Sequence, residues 1–157
     1  MLEIEIPGFR TLRLTTLVLD YNGTIAQDGL MIPEVIGRLT RISEDLDVHV
    51  VTADTFHKAA PQMKELPCCD VTILAHENQA RAKLEFVQKL EANRVVAVGN
   101  GRNDARMLKE AGLGIAVVQK EGAASETIMA ADVVCPSIAT ALDLLLNPMR
   151  LRATLRA

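Results

Sequence analysis

Leu17-Val18-Leu19-Asp20-Tyr21-Asn22-Gly23-Thr24 runs three apolar residues into a carboxylate and then into residue types that make tight turns. Asn22, Gly23 and Thr24 tolerate such a turn and can present backbone amides to an anion. A carboxylate held there can attack phosphorus as a nucleophile or ligate a hard cation. Two other stretches offer chemistry that matches. Val48-His49-Val50-Val51-Thr52 is an apolar run ending on a hydroxyl, and Val95-Val96-Ala97-Val98 feeds the turn Gly99-Asn100-Gly101-Arg102-Asn103-Asp104, which brings a second carboxylate. A nucleophilic carboxylate, a hydroxyl and amide donor, a second carboxylate and a loop entering a helix N-terminus together suit a phosphoryl group with Mg2+. Taken singly, each also fits an ordinary strand end or turn.

Elements must deliver these residues to one place. Leu2 to Ile6 and Leu12 to Leu14 alternate apolar and polar about Pro7-Gly8, which predicts a β-hairpin decorating a sheet edge. After the strand ending at Asp20 comes a loop through Gly29. A helix then opens at Pro33, with Val35, Ile36, Leu39, Ile42 and Leu46 on its apolar face. Beyond Thr52 a helix is expected over about Phe56 to Leu66, a strand over Val71 to Ala75, and a long helix over Asn78 to Ala92 that turns Ala82, Phe86, Val87 and Leu90 inward with Lys83 near its start. Val95 to Val98 is a short, wholly apolar strand. A helix from Asp104 to Ala111, strands at Leu113 to Val118 and Asp132 to Cys135 around a helix at Ser125 to Ala130, and a last helix from Ser137 to Leu146 complete the series. Strand and helix alternate throughout. With right-handed crossovers this predicts an α/β fold: a single doubly wound, Rossmann-like parallel sheet with helices on both faces. In such sheets ligands sit outside the carboxyl ends of the strands, where strand order reverses. Asp20, Thr52 and the turn from Gly99 to Asp104 all follow strand ends, so the fold brings them to one edge. The domain is expected over 1–148, with 149–157 a basic tail carrying Arg150, Arg152 and Arg156.

Composition narrows the classes. A 157-residue chain with net charge −3 has neither the footprint of a nucleic-acid binder nor that of an anionic-membrane binder, and with aromatic residues at 3% and no Trp it lacks base-stacking platforms. No apolar run is long enough to span a bilayer, and the start lacks a basic segment followed by an apolar one, so a cytoplasmic location is expected, with no membrane partner. Cys68, Cys69 and Cys135 have neither zinc-ligand spacing nor an even count, and read as reduced thiols. His49, His57 and His76 fall on different elements. Asp54 and His57 follow Thr52 closely enough to line the same edge as substrate contacts.

In its motifs the chain resembles the haloacid dehalogenase-like superfamily, and within it the phosphorylation domain of P-type ATPases in a soluble, stand-alone form. Asp20-Tyr21-Asn22-Gly23-Thr24 is similar to the first motif, Asp-x-(Asp or Thr)-Gly-Thr, Thr52 to the second, Lys83 to the third, and Gly99 to Asp104 to the fourth, Gly-Asp-Gly-x-Asn-Asp. The resemblance implies a phosphohydrolase acting on a phosphorylated substrate, with Asp20 carrying an aspartyl-phosphate and Thr52 and Lys83 holding the phosphoryl oxygens. Gly23, Thr24, Ala53 and Asn103 are implied as further phosphate contacts. Mg2+ is implied at Asp20, the backbone carbonyl of Asn22, and Asn100 and Asp104 of the fourth motif. Two residues depart from the pattern. Asn22 replaces the aspartate that serves phosphatases as general acid and base, which an amide cannot do, and Asn100 replaces a cation-binding aspartate. Slow turnover follows, with two alternatives: a catalytically impaired phosphate-binding or protein-interaction module, and a pump-like autophosphorylating domain. The intervals from Asp20 to Thr52 and from Thr52 to Lys83 are filled by core elements, so no cap domain fits. An open site implies a large substrate or a homo-oligomer whose neighbouring subunit supplies the missing wall.

Overall fold

The computed structural model describes all residues except 54–56 and 58. The strands are β1 (Leu2–Glu5), β2 (Thr11–Leu14), β3 (Thr16–Asp20), β4 (Ala26–Gln27), β5 (Leu30–Met31), β6 (Asp47–Thr52), β7 (Cys69–Ile73), β8 (Val95–Gly99), β9 (Leu113–Val117) and β10 (Val133–Cys135). The α-helices are α1 (Val35–Ile42), α2 (Ala59–Met63), α3 (Gln79–Lys89), α4 (Ala105–Glu110), α5 (Ser125–Ala130), α6 (Ile138–Leu146) and α7 (Pro148–Leu155). Six strands form one parallel sheet in the order β10-β9-β8-β3-β6-β7. From β3 the chain moves to β6 and β7 on one side and returns to β8 on the other, which makes the gap between the ends of β3 and β8 the point of reversal.

The apolar runs of the central strands divide with the period of a strand. Leu17, Leu19, Val48, Val50, Val96 and Val98 join one core cluster with Val35 and Leu39 of α1 and Ala141 and Leu142 of α6. Val18, Val51, Val95 and Ala97 join a second cluster with Val87 of α3 and Met107 and Leu108 of α4. Both faces are covered, which is why these strands read as continuous apolar runs. Burial of each Leu or Val side chain contributes about 1.5–3 kcal/mol, so the central strands are the most firmly held part of the chain.

The six strands and most helices stand where the sequence pattern places them; the differences lie at the periphery. The N-terminal hairpin does not extend the sheet. Among the described residues its two strands pair with each other alone, and the chain leaving it is tied by Thr15 N–H donating to the Arg94 carbonyl at 2.9 Å. The stretch 149–157 is not a loose tail: Pro148 starts α7, Leu151 is fully buried, and Ala157 N–H reaches the Pro7 carbonyl at 3.0 Å. Phe56, the expected start of the helix after β6, lies outside the described residues. That helix is seen as Ala59–Met63, with Pro61 in its first turn, where a missing N–H costs nothing. The third strand of the alternation begins two residues early, at Cys69. The loop through Gly29 contains a small antiparallel hairpin, β4–β5, turning on Asp28 (φ 51°) and Gly29 (φ 78°). Both φ values are positive, as a two-residue primed turn requires. Among the described residues no cap domain interrupts the core, and no helix is long and apolar enough to cross a membrane.

Candidate active site

Asp20 closes β3, and Asn100 follows Gly99 at the end of the neighbouring β8. Thr52 closes β6, where Val51 is in register with Asp20. Lys83 arrives from the second turn of α3. Its Nζ lies 2.6 Å from Asp20 Oδ1 and 2.6 Å from Asp104 Oδ1, so one ammonium bridges the two carboxylates. The three side chains are 2%, 9% and 0% exposed for Lys83, Asp20 and Asp104. With all three ionised the cluster carries one net negative charge in a site nearly without water. Burial pushes the Asp20 carboxyl up to about 7, and the Asp104 charge adds to this, while Lys83 and the Tyr21 N–H pull the other way. Burial opposes the Lys83 charge, but Asp20 and Asp104 outweigh it and raise the lysine above its ordinary value. Lys83 therefore stays an ammonium, and Asp20 titrates near neutrality.

The fourth-motif turn is shaped around Asp104. Its Oδ2 accepts from Asn100 N–H at 3.0 Å and Gly101 N–H at 2.8 Å. A Cβ on Gly99 would stand 2.5 Å from Asp104 Cγ, so this position has room only for glycine. Gly23 is confined in the same way: its φ is +79°, and a Cβ there would collide with the Asn100 amide. Thr24 Oγ1 spans the two motifs, 3.3 Å from Asp20 Oδ2 and 3.3 Å from Asn100 Oδ1. Asn100 Nδ2 donates to the Gly122 carbonyl at 3.0 Å. Asn22 Oδ1 is buried and has no hydrogen-bond partner among the described residues.

The first-motif amides are used differently from the sequence expectation. Gly23 N–H donates to the Ala26 carbonyl at 2.8 Å and Thr24 N–H to the Tyr21 carbonyl at 3.2 Å, so both are spent inside the turn. The N–H groups of Asn22 and Ala53 have no partner among the described residues and are the donors left for an anion. Asn103 turns away: its Nδ2 donates to Gln79 Oε1 at 2.7 Å, tying the turn to the start of α3. The fold thus gathers Asp20, Asn22, Gly23, Thr24, Thr52, Ala53, Lys83, Asn100 and Asp104 at one sheet edge, with Asn103 beside them. His57 is exposed, and Asp54 lies outside the described residues. Three contributors had not been singled out. Gln119 donates to the carbonyls of Gly23 and Thr24, the Tyr21 hydroxyl to the Gly29 carbonyl at 3.1 Å, and Thr127 Oγ1 to the Gly101 carbonyl at 2.6 Å. Their bonds run to backbone carbonyls, which carry no side-chain signature.

As a cation site the donor set is all oxygen: the Asp20 and Asp104 carboxylates, the Asn100 amide oxygen and Asn22. The orphaned Asn22 Oδ1 adds an acceptor in want of a partner. Such donors fit a hard cation. The two amides are neutral and an ammonium lies between the carboxylates, which leaves the set weakly charged, so the fit is to a loosely held ion.

Residues 77–140 match the model of the haloacid dehalogenase-like hydrolase family. An uncharacterised protein of Methanocaldococcus jannaschii is 48% identical over 79 residues, covering 48% of this chain and 85% of that protein. Among solved structures, 3-deoxy-D-manno-octulosonate 8-phosphate phosphatase of Moraxella catarrhalis, in complex with a magnesium ion, a phosphate ion and a KDO molecule, superposes with TM-score 0.70 at 15% identity over 86% of this chain and 87% of that one. The catalytic domain of the CPx-ATPase CopB-B superposes with TM-score 0.60 at 24% identity over 74% of this chain and 46% of that one. At these identities the likeness is one of fold.

Proposed function

We propose that this chain is a phosphohydrolase that works through an aspartyl-phosphate on Asp20. The observation that carries the reading is the buried bridge of Lys83 between Asp20 and Asp104 at the point where strand order reverses. A carboxylate is a weak nucleophile, and one raised to about 7 is ionised in only part of the molecules at neutral pH. Once ionised, Asp20 Oδ attacks the phosphorus of a phosphate ester, a P–O bond forms, and the bond from phosphorus to the ester oxygen breaks. The departing alkoxide takes its proton from solvent, because Asn22 holds no transferable proton at neutral pH. Lys83 and the N–H groups of Asn22 and Ala53 stabilise the phosphoryl oxygens as their charge develops. Mg2+, held by Asp20, the Asn22 carbonyl, Asn100 and Asp104, would offset negative charge between the nucleophile and the phosphoryl group. Water then cleaves the acyl phosphate, releasing inorganic phosphate and restoring the Asp20 carboxylate. This second step lacks the base that an aspartate at 22 would supply, so the aspartyl-phosphate accumulates.

The test is to incubate the protein with Mg2+ and acetyl phosphate or p-nitrophenyl phosphate, quench in acid, and measure the intact mass. One added phosphoryl group, mapped to Asp20 and absent in Asp20→Asn, is the expected result. No adduct, no phosphate release and no binding of fluoroberyllate would leave the second reading, a phosphate-binding module without turnover, which the paired amides at 22 and 100 favour. We further propose that a second copy of the chain walls the open side of the site, which a strictly monomeric mass at working concentration would overturn.

A further inference from the structure

The loop leaving β9 reaches the site from behind at two points. Gln119 Nε2 donates to the carbonyls of Gly23 at 3.0 Å and Thr24 at 2.8 Å, while its Oε1 accepts from the N–H of Ile138, the first residue of α6, at 2.8 Å. Three residues on, the Gly122 carbonyl receives Asn100 Nδ2. Every polar atom of the Gln119 side chain is therefore engaged. Apart from Gly23 N–H donating to the Ala26 carbonyl at 2.8 Å, the turn it holds is closed on one acceptor. The N–H groups of Thr24, Ile25 and Ala26 crowd onto the single Tyr21 carbonyl at 3.2, 3.1 and 2.9 Å, more donors than that oxygen has lone pairs. The same turn carries Asn22, seats Gly23 against the Asn100 amide, and aims the Thr24 hydroxyl between Asp20 and Asn100.

We propose that Gln119 is a positioning residue: through the two carbonyls it fixes the Asn22-Gly23-Thr24 turn, and with it the aim of Asp20, without touching substrate. Its effect on rate rests on the phosphohydrolase reading, whereas its effect on the turn does not. Gln119→Glu separates the two roles of the side chain. The carboxylate keeps an oxygen for the Ile138 N–H but cannot donate to the carbonyls of Gly23 and Thr24, and repels them. Gln119→Met loses both sets of bonds without repulsion and stands in should the charged variant fold poorly.

Both variants are expected to lower kcat by tenfold or more, with KM changed by no more than about twofold, since misplacement of reacting groups by about an ångström can cost ~10²-fold. Melting of Gln119→Glu should stay within a few degrees of wild type. Amide 1H–15N resonances of Gly23, Thr24, Ile25 and Asn100 should shift in both variants, and this readout stands even if no ester is hydrolysed. The proposal is overturned by unchanged kcat in Gln119→Glu, by loss confined to Gln119→Met, which would place the effect on α6, or by resonance changes that stop at 118–120 and 138. An inactive wild type with the expected resonance shifts would remove the phosphohydrolase reading and keep the positioning role.

Discussion

Asn22 and Asn100 occupy matching places. Each precedes a glycine just beyond the end of a central strand, yet the two ends of the site treat their amides in opposite ways. At the end of β8, Asn100 is used at every polar group: its N–H goes to Asp104, its carbonyl receives the Ala124 N–H at 2.9 Å, Nδ2 goes to Gly122, and Oδ1 faces Thr24. At the end of β3, the Asn22 amide oxygen is buried with no partner among the described residues. The amide at 100 has become part of the scaffold, because only an amide can donate to Gly122 and accept near Thr24 from one side chain. Among the described residues no partner of Oδ1 selects an amide over a carboxylate at 22. Chemistry can therefore be altered at the β3 end with little structural cost, and hardly at all at the β8 end.

The largest effect that tests this contrast is a gain. Asn22→Asp supplies a general acid and base at the β3 end, and is expected to raise turnover of p-nitrophenyl phosphate by ~10²- to 10⁴-fold, the usual worth of such help. Steady-state phosphate release decides it, and the gain must disappear when Asp20→Asn is added. A flat response would mean that proton transfer at this position does not limit the reaction. Next is a loss. Lys83→Met leaves Asp20 and Asp104 facing each other without their ammonium, and breaking a buried pair in this way costs about 3–5 kcal/mol. Denaturant titration that finds wild-type stability would show that the bridge is not formed in solution. Asn100→Asp ranks third. It removes the donor to Gly122 and adds a negative charge beside Asp20 and Asp104, so a stability loss of about 1–3 kcal/mol is expected without Mg2+. Were this variant as stable as wild type while Asn22→Asp unfolded, the contrast between the two ends would be inverted.

What the sequence made legible follows the same division. Apolar runs ending at Asp20, Thr52 and Gly99 announced both the parallel sheet and the edge at which chemistry gathers, because strand period and strand ends are written in side chains. Lys83 was legible only through the motif resemblance, since nothing in the local helix pattern says that this lysine turns inward. Bonds made by the backbone left no trace: the amides of Gly23 and Thr24 closing on their own turn, and the carbonyls gripped by Gln119. The β4–β5 hairpin did have a signal, Asp28-Gly29, but flanking strands of two residues are too short to show alternation. The last helix was hidden by its arginines. Leu151 and Leu155, one turn apart, supply its whole apolar side, and the hairpin it packs on is distant in sequence.

The smallest expected effect separates the nucleophile from the rest of the chain by pH. The Asp20 carboxyl, at about 7 in the folded protein against an ordinary 3.8, binds a proton in the folded state over a range where the unfolded chain has lost it. Folding is therefore favoured at the acid end of that window, and stability falls as pH rises through about 7. Lys83 does not oppose this, because a raised lysine keeps its contribution until pH exceeds the ordinary lysine value. Asp143, lowered by its hydrogen bond to Arg38, loses its contribution only below the ordinary carboxylate range and is level here. About 1 kcal/mol is expected between pH 5 and 8, a fall of roughly 2–4 °C in Tm for a chain of this size. Melting in EDTA at pH 5, 6, 7 and 8 measures this fall. In Asp20→Asn the fall in Tm should flatten. A wild-type Tm that climbs from pH 5 to 8 would show Asp20 ionised throughout, its charge settled by Lys83.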